Sequence, residues 1–442
     1  MRRKLFHVIS KVVTLVLIAG CKDSPPAPPP SPPPYVSSVQ LTKEDSSLTE
    51  IWLKLRLTDA SPPRSYVVKR DSQTVFTGTF LSQDTVLADT GLAMNRLYSY
   101  KAFRANGSTY TDSSAPLHVT TMDTTSQNFT FEIDTLGVNA STLFDIAIVN
   151  DTLAYAVGQM LLRDSTGHID PLLYNAAKWD GVKWTPFRIQ FYTICGQSSQ
   201  TPYAASTLLA FGANDVWIVM LGDQVVRWNG IVQIGTMCLP ISFTANKAWA
   251  ETPTTVYEVG SGGIIMHYIS NIWQPVQSGT TTEIQDIWGN GQEVLAVASN
   301  VLALPRQKNV MRIEGTGATM ISDAGLPYDL SGLWFVQGRW YCIVGDGIFW
   351  KRNLNEPVWS GGPQIITTFY INAVRGTGVN DVFAAGAYGE FLHFNGSTWH
   401  SFRAQTGLSN GQYYSIAIKG NLVFAVGYES PRGAVVLRGR RQ

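Results

Sequence analysis

The chain has 442 residues, too many for one ordinary hydrophobic core, so two or three structural units are expected. Its 33 Lys+Arg residues nearly balance 32 Asp+Glu residues, so the chain lacks the large positive net charge that is typical of a nucleic-acid binder. Aromatic residues at 11%, charged residues at only 15% and 39 glycines are typical of many short strands joined by tight turns. Because no sustained helical periodicity occurs beyond residue 40, the sequence predicts an all-β protein.

The first twenty residues differ in character from the rest of the chain. Arg2, Arg3 and Lys4 form a basic start, and a short apolar run covers 12–19. About 20 apolar residues are needed to cross a bilayer, so this run is too short for a transmembrane helix. Residues 1–20 are therefore predicted to be a signal peptide.

The predicted signal peptide ends in Ile18-Ala19-Gly20, followed by Cys21. These four residues resemble the lipobox of bacterial lipoproteins. The resemblance implies cleavage before Cys21, diacylglycerol on its thiol, acyl chains such as palmitate, and a membrane as the first partner of the protein. Two or more acyl chains make such attachment stable. An ordinary secretory peptide with a chance cysteine is the alternative.

The residues after the cysteine indicate to which membrane the lipoprotein would be sorted. Lys22 is not Asp, and for a Gram-negative lipoprotein the resemblance then implies the outer membrane. Lys22-Asp23 also looks like the start of the surface-export signal of some Bacteroidetes lipoproteins, although Ser24 interrupts it. Cell-surface and periplasm-facing positions both remain open.

Residues 21–34 combine the lipidated cysteine with a proline-rich stalk. Eight of the eleven residues from Ser24 to Pro34 are proline, which favours an extended left-handed helix without internal hydrogen bonds. At about 3.1 Å per residue the stalk would be roughly 34 Å long. It would hold the following domain away from the lipid headgroups. A proline-rich ligand for a partner domain is the alternative interpretation.

Residues 35–122 alternate apolar and polar side chains through short runs that predict a small β-sandwich. The runs are 36–41, 50–57, 65–69, 74–80, 97–105 and 117–121. This segment resembles a fibronectin type III domain. Trp52 stands where that family places its core tryptophan, and Leu92 with Tyr98 resembles its tyrosine corner, although Met94 replaces the usual proline. The interpretation is a spacer or, alternatively, a binding module.

Residues 124–442 repeat one pattern, in which a turn and an aromatic-centred strand precede Asn-Gly and Trp. One copy runs over 214–230, and another over 380–399. Such units cannot bury both faces of their sheets alone, so copies stacked in a ring are expected. The inner strands are predicted to begin near Asp145, Thr207, Lys247, Gln285, Ser331, Asn372 and Ser415, which resembles a seven-bladed β-propeller.

The last copy ends at Val435-Val436-Leu437-Arg438 without an outer strand after it. Phe129, Phe131 and Ile133 alternate with polar residues just before the first copy. We therefore expect this N-terminal strand to pair with the last blade, close the ring and remove the open edges.

Several chemically suggestive residues recur from copy to copy and are therefore interpreted as structural. Asp215 and Asp381 follow Asn in tight turns. His267 and His393 occupy equivalent positions three blades apart, too far to share a metal, and the six histidines show no ligand spacing. Blade packing accounts for four tryptophans, with sugar stacking as the alternative: Trp184, Trp273, Trp359 and Trp399. No catalytic residue, metal or cofactor is predicted.

Non-repeating polar and aromatic residues in loops are better candidates for binding a ligand. The candidates are Tyr192, Asp223, Glu251, Asp346, Tyr388, Glu390, Tyr428, Glu429 and Arg432. In an oxidising compartment Cys195 and Cys238, one blade apart, would be able to form a disulfide. Cys342, within a predicted buried strand, is expected to be a free thiol.

The resulting hypothesis is a membrane-anchored extracytoplasmic lipoprotein whose propeller binds a protein or glycan partner. A polysaccharide-acting enzyme on a propeller scaffold, a glycosidase or lyase, is the first alternative. A structural component of an envelope or secretion assembly is the second. Fold alone does not separate these functions.

Overall fold

The computed structural model describes residues 37–300 and 304–442. The predicted signal peptide, Cys21 and the proline-rich stalk lie outside these ranges. Nearly all regular structure within them is β-strand, as the composition predicts. The exceptions are a single-turn helix α1 (Arg403–Thr406) and a 3-10 turn (Ser261–Gly263).

The N-terminal unit contains two packed sheets. Its strands are β1 (Val39–Ser46), β2 (Glu50–Leu57), β3 (Arg64–Arg70), β4 (Gln73–Phe80), β5 (Asp84–Thr90), β6 (Leu97–Asn106), β7 (Thr109–Ser113) and β8 (Leu117–Thr120). One sheet has the order β1-β2-β5, and the other has β4-β3-β6-β7 with β8 also paired to β6. Their inner faces share one apolar core, which includes Ile51, Leu53, Val68 and Tyr100.

Two features of this unit differ from the sequence analysis. Strands β5 and β7 were not predicted, because β5 buries one residue and β7 none, so neither shows an apolar alternation. Trp52 is not a core residue, and that prediction was wrong. It lies on the outer face of β2, opposite Ile51 and Leu53, and its ring contacts the Arg339 guanidinium at 4.2 Å. Tyr98 does accept a hydrogen bond from the Ala93 N–H at 2.8 Å, as a tyrosine corner would.

Residues 129–442 form seven four-stranded antiparallel sheets and one short two-stranded hairpin. Strand β9 is Phe129–Leu136. Sheet 1 contains β10 (Thr142–Asn150), β11 (Leu153–Met160), β12 (Tyr174–Trp179) and β13 (Trp184–Phe187), followed by a hairpin of β14 (Phe191–Tyr192) and β15 (Gln200–Thr201). Sheet 2 contains β16 (Ala205–Gly212), β17 (Asp215–Met220), β18 (Gln224–Trp228) and β19 (Gln233–Cys238). Sheet 3 contains β20 (Ala245–Thr252), β21 (Thr255–Gly260), β22 (Ile265–Ile269) and β23 (Ile272–Val276).

The remaining four sheets follow the same order. Sheet 4 contains β24 (Ile284–Asn290), β25 (Glu293–Ser299), β26 (Lys308–Glu314) and β27 (Gly317–Ile321). Sheet 5 contains β28 (Leu330–Val336), β29 (Trp340–Gly345), β30 (Gly347–Lys351) and β31 (Ser360–Gly362). Sheet 6 contains β32 (Ile371–Gly378), β33 (Asp381–Gly386), β34 (Phe391–Phe394) and β35 (Trp399–Ser401). Sheet 7 contains β36 (Gly411–Lys419), β37 (Leu422–Glu429) and β38 (Gly433–Arg441), with β9 as its fourth strand.

The seven sheets form a closed ring around a central channel. The first strand of each sheet packs against the first strand of the next, and β36 packs against β10. Apolar clusters fill the spaces between neighbouring sheets, as where Trp179 of sheet 1 meets Phe424 of sheet 7 at 5.1 Å. As predicted, β9 pairs with β38, with Ile133 opposite Leu437.

A β-bulge occurs near the start of the first strand in every sheet. In each one the register against the second strand shifts by one residue. The bulged residues are Phe144, Ser206, Asn246, Gln285, Ser331, Asn372 and Tyr414. The strands begin one to four residues before the predicted starts, because a bulge interrupts the alternation from which those starts were inferred.

The recurring glycine at the end of the second strand is explained by this bulge. Gly386 of β33 pairs with Ile371, directly before the bulged Asn372. A Cβ atom on Gly386 would lie 2.0 Å from the Tyr370 carbonyl oxygen. Only glycine therefore allows the two strands to approach so closely there.

The ring has two different faces. The bulges and the hairpins between second and third strands lie at one face, which we call the mouth face. The turns between first and second strands, and between third and fourth strands, lie at the other. The sandwich contacts this second face, since Arg339 and Arg352 of sheet 5 pair with Asp45 at 3.0 Å and Glu50 at 3.2 Å. We call it the sandwich face.

Candidate functional site

The bulged residues surround the mouth of the central channel. All seven line a single cavity of about 490 Å³. A bulge leaves its extra residue unpaired and redirects the side chain, so each sheet directs one side chain into this cavity. Their chemistry differs from sheet to sheet, with three amides, two hydroxyls and two aromatic rings. None of the seven carries a charge.

The three amides are held by their nitrogen atoms. The Asn372 Nδ2 donates to the Tyr413 carbonyl oxygen at 2.8 Å, and the Asn246 Nδ2 donates to the Ile284 carbonyl oxygen at 3.0 Å. The Gln285 Nε2 donates to the Ser299 carbonyl oxygen at 2.9 Å. Since no described residue donates to their side-chain oxygens, three oriented acceptors are available to a ligand.

Aromatic rings form the opposite wall of the mouth. Phe144 and Tyr414 lie 6.0 Å apart between ring centroids, and Tyr414 stacks on Tyr428 at 5.9 Å. The Gln412 Nε2 donates to the Tyr414 hydroxyl at 2.8 Å and so fixes its position. The mouth therefore offers hydrogen-bond acceptors on one side and an aromatic surface on the other.

Two buried ion pairs form the floor of this cavity. The Asp145 carboxylate accepts hydrogen bonds from the Lys247 ammonium, the Thr207 hydroxyl and the Ser415 hydroxyl, each at 2.6 Å. Burial acts to raise the pKa of Asp145, but Lys247 and the hydroxyl donors outweigh it, so the net shift is downward. One carboxylate thus connects sheets 1, 2, 3 and 7.

The second ion pair connects the other three sheets. The Arg375 guanidinium donates two hydrogen bonds to Asp286, both at 2.8 Å, and the Leu333 N–H donates to the same carboxylate at 2.9 Å. We call the two pairs together the charged belt. Below it lies a smaller cavity of about 250 Å³, largely apolar and bordered by Trp249 and Trp288. Lys247 and Arg375 line both cavities, so the belt closes the mouth from below.

Large apolar side chains are exposed in the loops around the mouth. The mouth face carries Ile169, Leu172, Ile194, Tyr203, Leu221, Ile241, Tyr328, Ile365 and Tyr388 in such positions. They are distributed over the loops from 161 to 388 on this face, so exposed apolar side chains occur well beyond the central cavity.

Apart from Glu251, the predicted site residues fall into several places on this face. Tyr192 and Asp223 line one peripheral cleft of about 630 Å³, next to Cys195. Cys195 and Cys238 form a disulfide with Cα atoms 6.1 Å apart, which attaches the loop after sheet 1 to sheet 2. Asp346 is exposed beside the channel mouth, where its N–H donates to the Asp329 carbonyl oxygen at 3.1 Å.

The candidates from sheet 6 have different environments. Tyr388 is exposed, with its ring 5.8 Å from Phe369. Glu390 is buried and accepts hydrogen bonds from the Thr367 hydroxyl at 2.9 Å and the Ser401 hydroxyl at 2.5 Å. Glu390 therefore holds loops together, while Tyr388 is available to a partner.

The candidates from sheet 7 divide in the same way. Tyr428 belongs to the aromatic wall described above. Glu429 is buried, accepts from the Ser409 N–H at 2.9 Å and pairs with Arg432 at 2.7 Å. Burial acts to raise the pKa of Glu429, but these hydrogen bonds and Arg432 lower it overall. Glu251 lies at the end of β20 on the sandwich face, so the structure does not bring it together with the other candidates.

Besides the bulge, a second position is common to all seven sheets, and its residues repeat from sheet to sheet. In each sheet a basic residue or histidine of the third strand lies opposite a second-strand residue that is aromatic in six of the seven sheets. The pairs are Tyr155–Lys178, Trp217–Arg227, Tyr257–His267, Leu295–Arg312, Tyr341–Lys351, Phe383–His393 and Phe424–Arg438. We call this position the outer slot. Asp215 and Asp381 accept hydrogen bonds there from Arg227 at 3.0 Å and His393 at 2.9 Å, beyond the turn role expected of them.

Sequence reasoning missed the seven bulged residues as a binding site. Three of them, Gln285, Ser331 and Asn372, were recognised as strand starts only. A usable signal does exist, because side-chain chemistry changes from copy to copy at this position while the preceding residue is apolar or aromatic in every copy. Among residues 37–300 and 304–442, no helix is long and apolar enough to cross a membrane. Within the same ranges no three His, Cys, Asp or Glu side chains are grouped as a metal site would require.

Comparison with known proteins identifies the fold. No protein-family model and no curated protein sequence matches the chain. A solved structure described as YCF48 bound to a D1 peptide is similar, with a TM-score of 0.53 and 16% sequence identity, over 71% of this chain and 97% of that one. The WD40 β-propeller domain of Doa1 is also similar, with a TM-score of 0.50 and 11% identity, over 71% and 97%. The all-β chain therefore has a WD40-like β-propeller fold.

Proposed function

We propose that this protein is a lipid-anchored extracytoplasmic lipoprotein whose seven-bladed propeller binds a protein partner at the mouth face. The observation that carries the proposal is the ring of exposed apolar and aromatic side chains around a mouth lined by free amide oxygens. Exposed apolar and aromatic side chains that surround a polar opening favour a protein interface over a small-ligand site.

The chemistry of the mouth supports a peptide segment as the part of the partner that enters it. Asn246, Gln285 and Asn372 present acceptors that match main-chain N–H groups, and Phe144 and Tyr414 offer a surface for apolar side chains. The charged belt closes the cavity, so the segment would enter and leave by the same opening. The similar YCF48 structure is described as bound to a peptide, which agrees with this use of the fold.

The position of the sandwich supports its role as a spacer. Ser37 contacts Asp112 at one end of the sandwich, whereas Glu50 at the other end contacts the propeller. The chain therefore enters the sandwich at the end far from the propeller. A fibronectin type III-like sandwich on a lipidated stalk would then present the mouth face away from the membrane.

Site-specific photocrosslinking tests the binding site directly. A photoreactive residue replaces Leu221 or Tyr388 on the mouth face, or Val182 on the sandwich face as a matched control, since all three are exposed. We expect a defined protein adduct in cells from the two mouth-face positions and none from Val182. Equal labelling from both faces, or binding only to arrayed glycans, would contradict the proposal.

The membrane anchor needs a separate test. The variant Cys21→Ala removes the thiol that would carry diacylglycerol, with Cys342→Ala as the control cysteine. We expect the unaltered chain and the control to incorporate an alkyne-labelled fatty acid and to fractionate with membranes. The Cys21→Ala chain should do neither, and an unchanged membrane fraction would rule out the lipid anchor.

One observation favours a second candidate, hydrolysis of a glycan. Asp329 and Asp346 lie next to each other at the mouth, beside Tyr370, and glycosidases use paired carboxylates. Burial raises the pKa of Tyr370 to about 12, so its hydroxyl stays protonated and able to donate. Release of reducing ends from a panel of polysaccharides, lost in Asp329→Asn, would establish this activity. No turnover by the unaltered protein would remove it.

A further inference from the structure

A second cavity, larger than the mouth, opens on the mouth face at the seam between sheets 3 and 4. Its volume is about 1030 Å³, and it shares no lining residue with the mouth cavity. The walls are the segment 275–282, which leads from sheet 3 to sheet 4, and the segment 306–309, at the start of β26. We call this cavity the seam cleft. Its size is at the upper end of the range of small-molecule sites.

Two amide side chains in the seam cleft have free nitrogen atoms. The Gln307 Oε1 accepts a hydrogen bond from the Thr282 hydroxyl at 2.9 Å, and the Asn309 Oδ1 accepts one from the Thr280 hydroxyl at 2.9 Å. Neither amide nitrogen donates to a described residue, so each keeps its N–H groups for a ligand. This orientation is the reverse of that at the mouth, where the nitrogen atoms are held and the oxygen atoms are free.

The charged side chains that line the seam cleft leave one cation unpaired. The Lys308 ammonium lies 3.8 Å from the Asp323 carboxylate, whereas Arg306 forms no salt bridge with a described residue. The neighbouring acids Glu283 and Asp329 do not line the cleft. The lining therefore has an excess of hydrogen-bond donors and one net positive charge, which match a ligand that carries a carboxylate.

The remaining groups of the cleft suit a sugar ring. Tyr328 lines the cleft with 49% of its surface exposed, and an exposed aromatic ring can stack on the apolar face of a pyranose. The Asp323 side chain is 41% exposed and accepts no hydrogen bond from a described residue. Its two oxygen atoms are therefore available to sugar hydroxyl groups. A few polar groups beside a ring surface are typical of a site that fixes the orientation of a small ligand.

We propose that the seam cleft binds an acidic saccharide, a glycan unit that carries a carboxylate. The carboxylate would accept hydrogen bonds from Arg306, Gln307 and Asn309. The sugar hydroxyls would donate to Asp323, and the sugar ring would lie against Tyr328. Because this site is separate from the mouth, the inference goes beyond the proposed function and does not depend on it.

A glycan array probed with the full-length protein in detergent tests the ligand class. The array carries neutral hexose oligosaccharides, uronic acid oligosaccharides and the methyl esters of the same uronic acids. We expect the uronic acids to be retained, and the esters and neutral sugars to bind at least about tenfold more weakly, since they lack the negative charge. Equal binding of an acid and its ester, or no bound glycan at all, would overturn the inference.

A charge-reversing variant tests the location of the site. Gln307→Glu combined with Asn309→Asp keeps the oxygen atoms that bind the threonine hydroxyls but replaces each free N–H donor with a carboxylate oxygen. The control combines Gln337→Glu with Asn355→Asp, at exposed positions on the sandwich face, and makes the same change in net charge. By calorimetry with a retained uronic acid oligosaccharide, affinity should fall at least about tenfold in the cleft variant and less than about twofold in the control.

Unchanged affinity in the cleft variant would show that the saccharide binds elsewhere. Photocrosslinking from the mouth face should be the same in the unaltered protein and the cleft variant. Loss of saccharide binding can therefore be distinguished from loss of the protein partner, and each proposal can fail without the other.

Discussion

The outer slot and the channel mouth differ in how the repeat uses them. In the outer slot, all seven sheets place a basic residue or histidine opposite a residue that is aromatic in all but one. At the mouth, the same strand position carries seven side chains of three chemical classes. Residues that every sheet needs for its own packing repeat, whereas residues that meet an external ligand have no reason to do so. Variation at a structurally fixed position is therefore the better guide to function in a repeat protein.

The largest loss of stability is expected from deletion of β9, the strand that completes sheet 7. The outer slot of that sheet pairs Arg438 with Glu132 of β9, so deletion of residues 124–135 disrupts both the slot and the ring. It also removes Phe129 from its contacts with Phe383 and Phe402. Loss of one buried aromatic ring alone costs about 3–5 kcal/mol, so the Tm should fall by at least about 6 °C.

Thermal unfolding followed by circular dichroism measures this change. The control is Thr130→Ala, an exposed position on the same strand, for which we expect a change within about 0.5 kcal/mol. A deletion protein with an unaltered Tm would show that the closing strand does not support the ring.

The charged belt should be the next most sensitive element. Asp286→Asn leaves the Arg375 guanidinium buried without its counterion, which typically costs about 3–5 kcal/mol. By contrast, Arg352→Met breaks an ion pair whose arginine is 72% exposed, and should cost less than about 1 kcal/mol. Urea unfolding of both variants compares them, and equal losses would show that the belt is not a structural element.

A smaller loss of stability is predicted for substitution of a glycine next to the bulge. Gly386→Ala places a methyl group against the Tyr370 carbonyl oxygen and should cost about 1–3 kcal/mol through overpacking. Gly212→Ala is the matched control, because a Cβ atom at this strand glycine meets nothing within 4 Å. Similar unfolding midpoints for the two variants would mean that the close approach at the bulge is not required.

The effect of pH on stability is expected to be small within any one pH unit. Burial and the nearby Asp223 make the pKa of Glu258 higher in the folded protein than in the unfolded chain, so the folded state binds its proton more tightly. Stability should therefore fall as the pH rises from about 4.5 toward the folded-state pKa, by at most about 1.4 kcal/mol per pH unit. Glu258→Met should remove this dependence and gain stability at pH 8 relative to the unaltered protein.

Urea midpoints at pH 5, 7 and 9 measure the difference between the two proteins. Glu314→Met, at an exposed carboxylate, serves as the control and should retain the full pH dependence. Parallel pH profiles for the unaltered protein and Glu258→Met would show that Glu258 does not control this part of the curve.

The sequence predicted the strand-rich architecture well because its main signals are periodic. Buried second strands such as β33 appear as continuous apolar runs, and the terminal pairing of β9 with β38 follows from an incomplete last copy. The bulges were not predicted, since an extra residue that is present in every copy leaves the spacing between copies regular. They nevertheless decide which side chains enter the channel.

Single residues were harder to place for related reasons. Trp52 was assigned to a core from the resemblance to fibronectin type III domains, but one step of alternation along β2 turns it outward to Arg339. Glu251 was predicted as a binding residue together with residues that lie on the mouth face, because sequence alone does not show at which end of a hairpin a loop lies. Asp329 and Glu258 were overlooked, since their significance depends on partners that only the fold reveals.

The pairing of β9 with β38 also determines how the protein would respond to mechanical load. β9 follows directly from the sandwich, so tension between a membrane and a bound partner would reach this strand before any other part of the ring. The load would first meet the linker contacts, where the Thr125 hydroxyl bonds to the Asn380 carbonyl oxygen at 2.5 Å, and then Phe129 opposite Arg441. Pulling from that end would separate β9 from β38 one hydrogen bond at a time. The strand pairing that closes the ring would therefore be its mechanically weakest point.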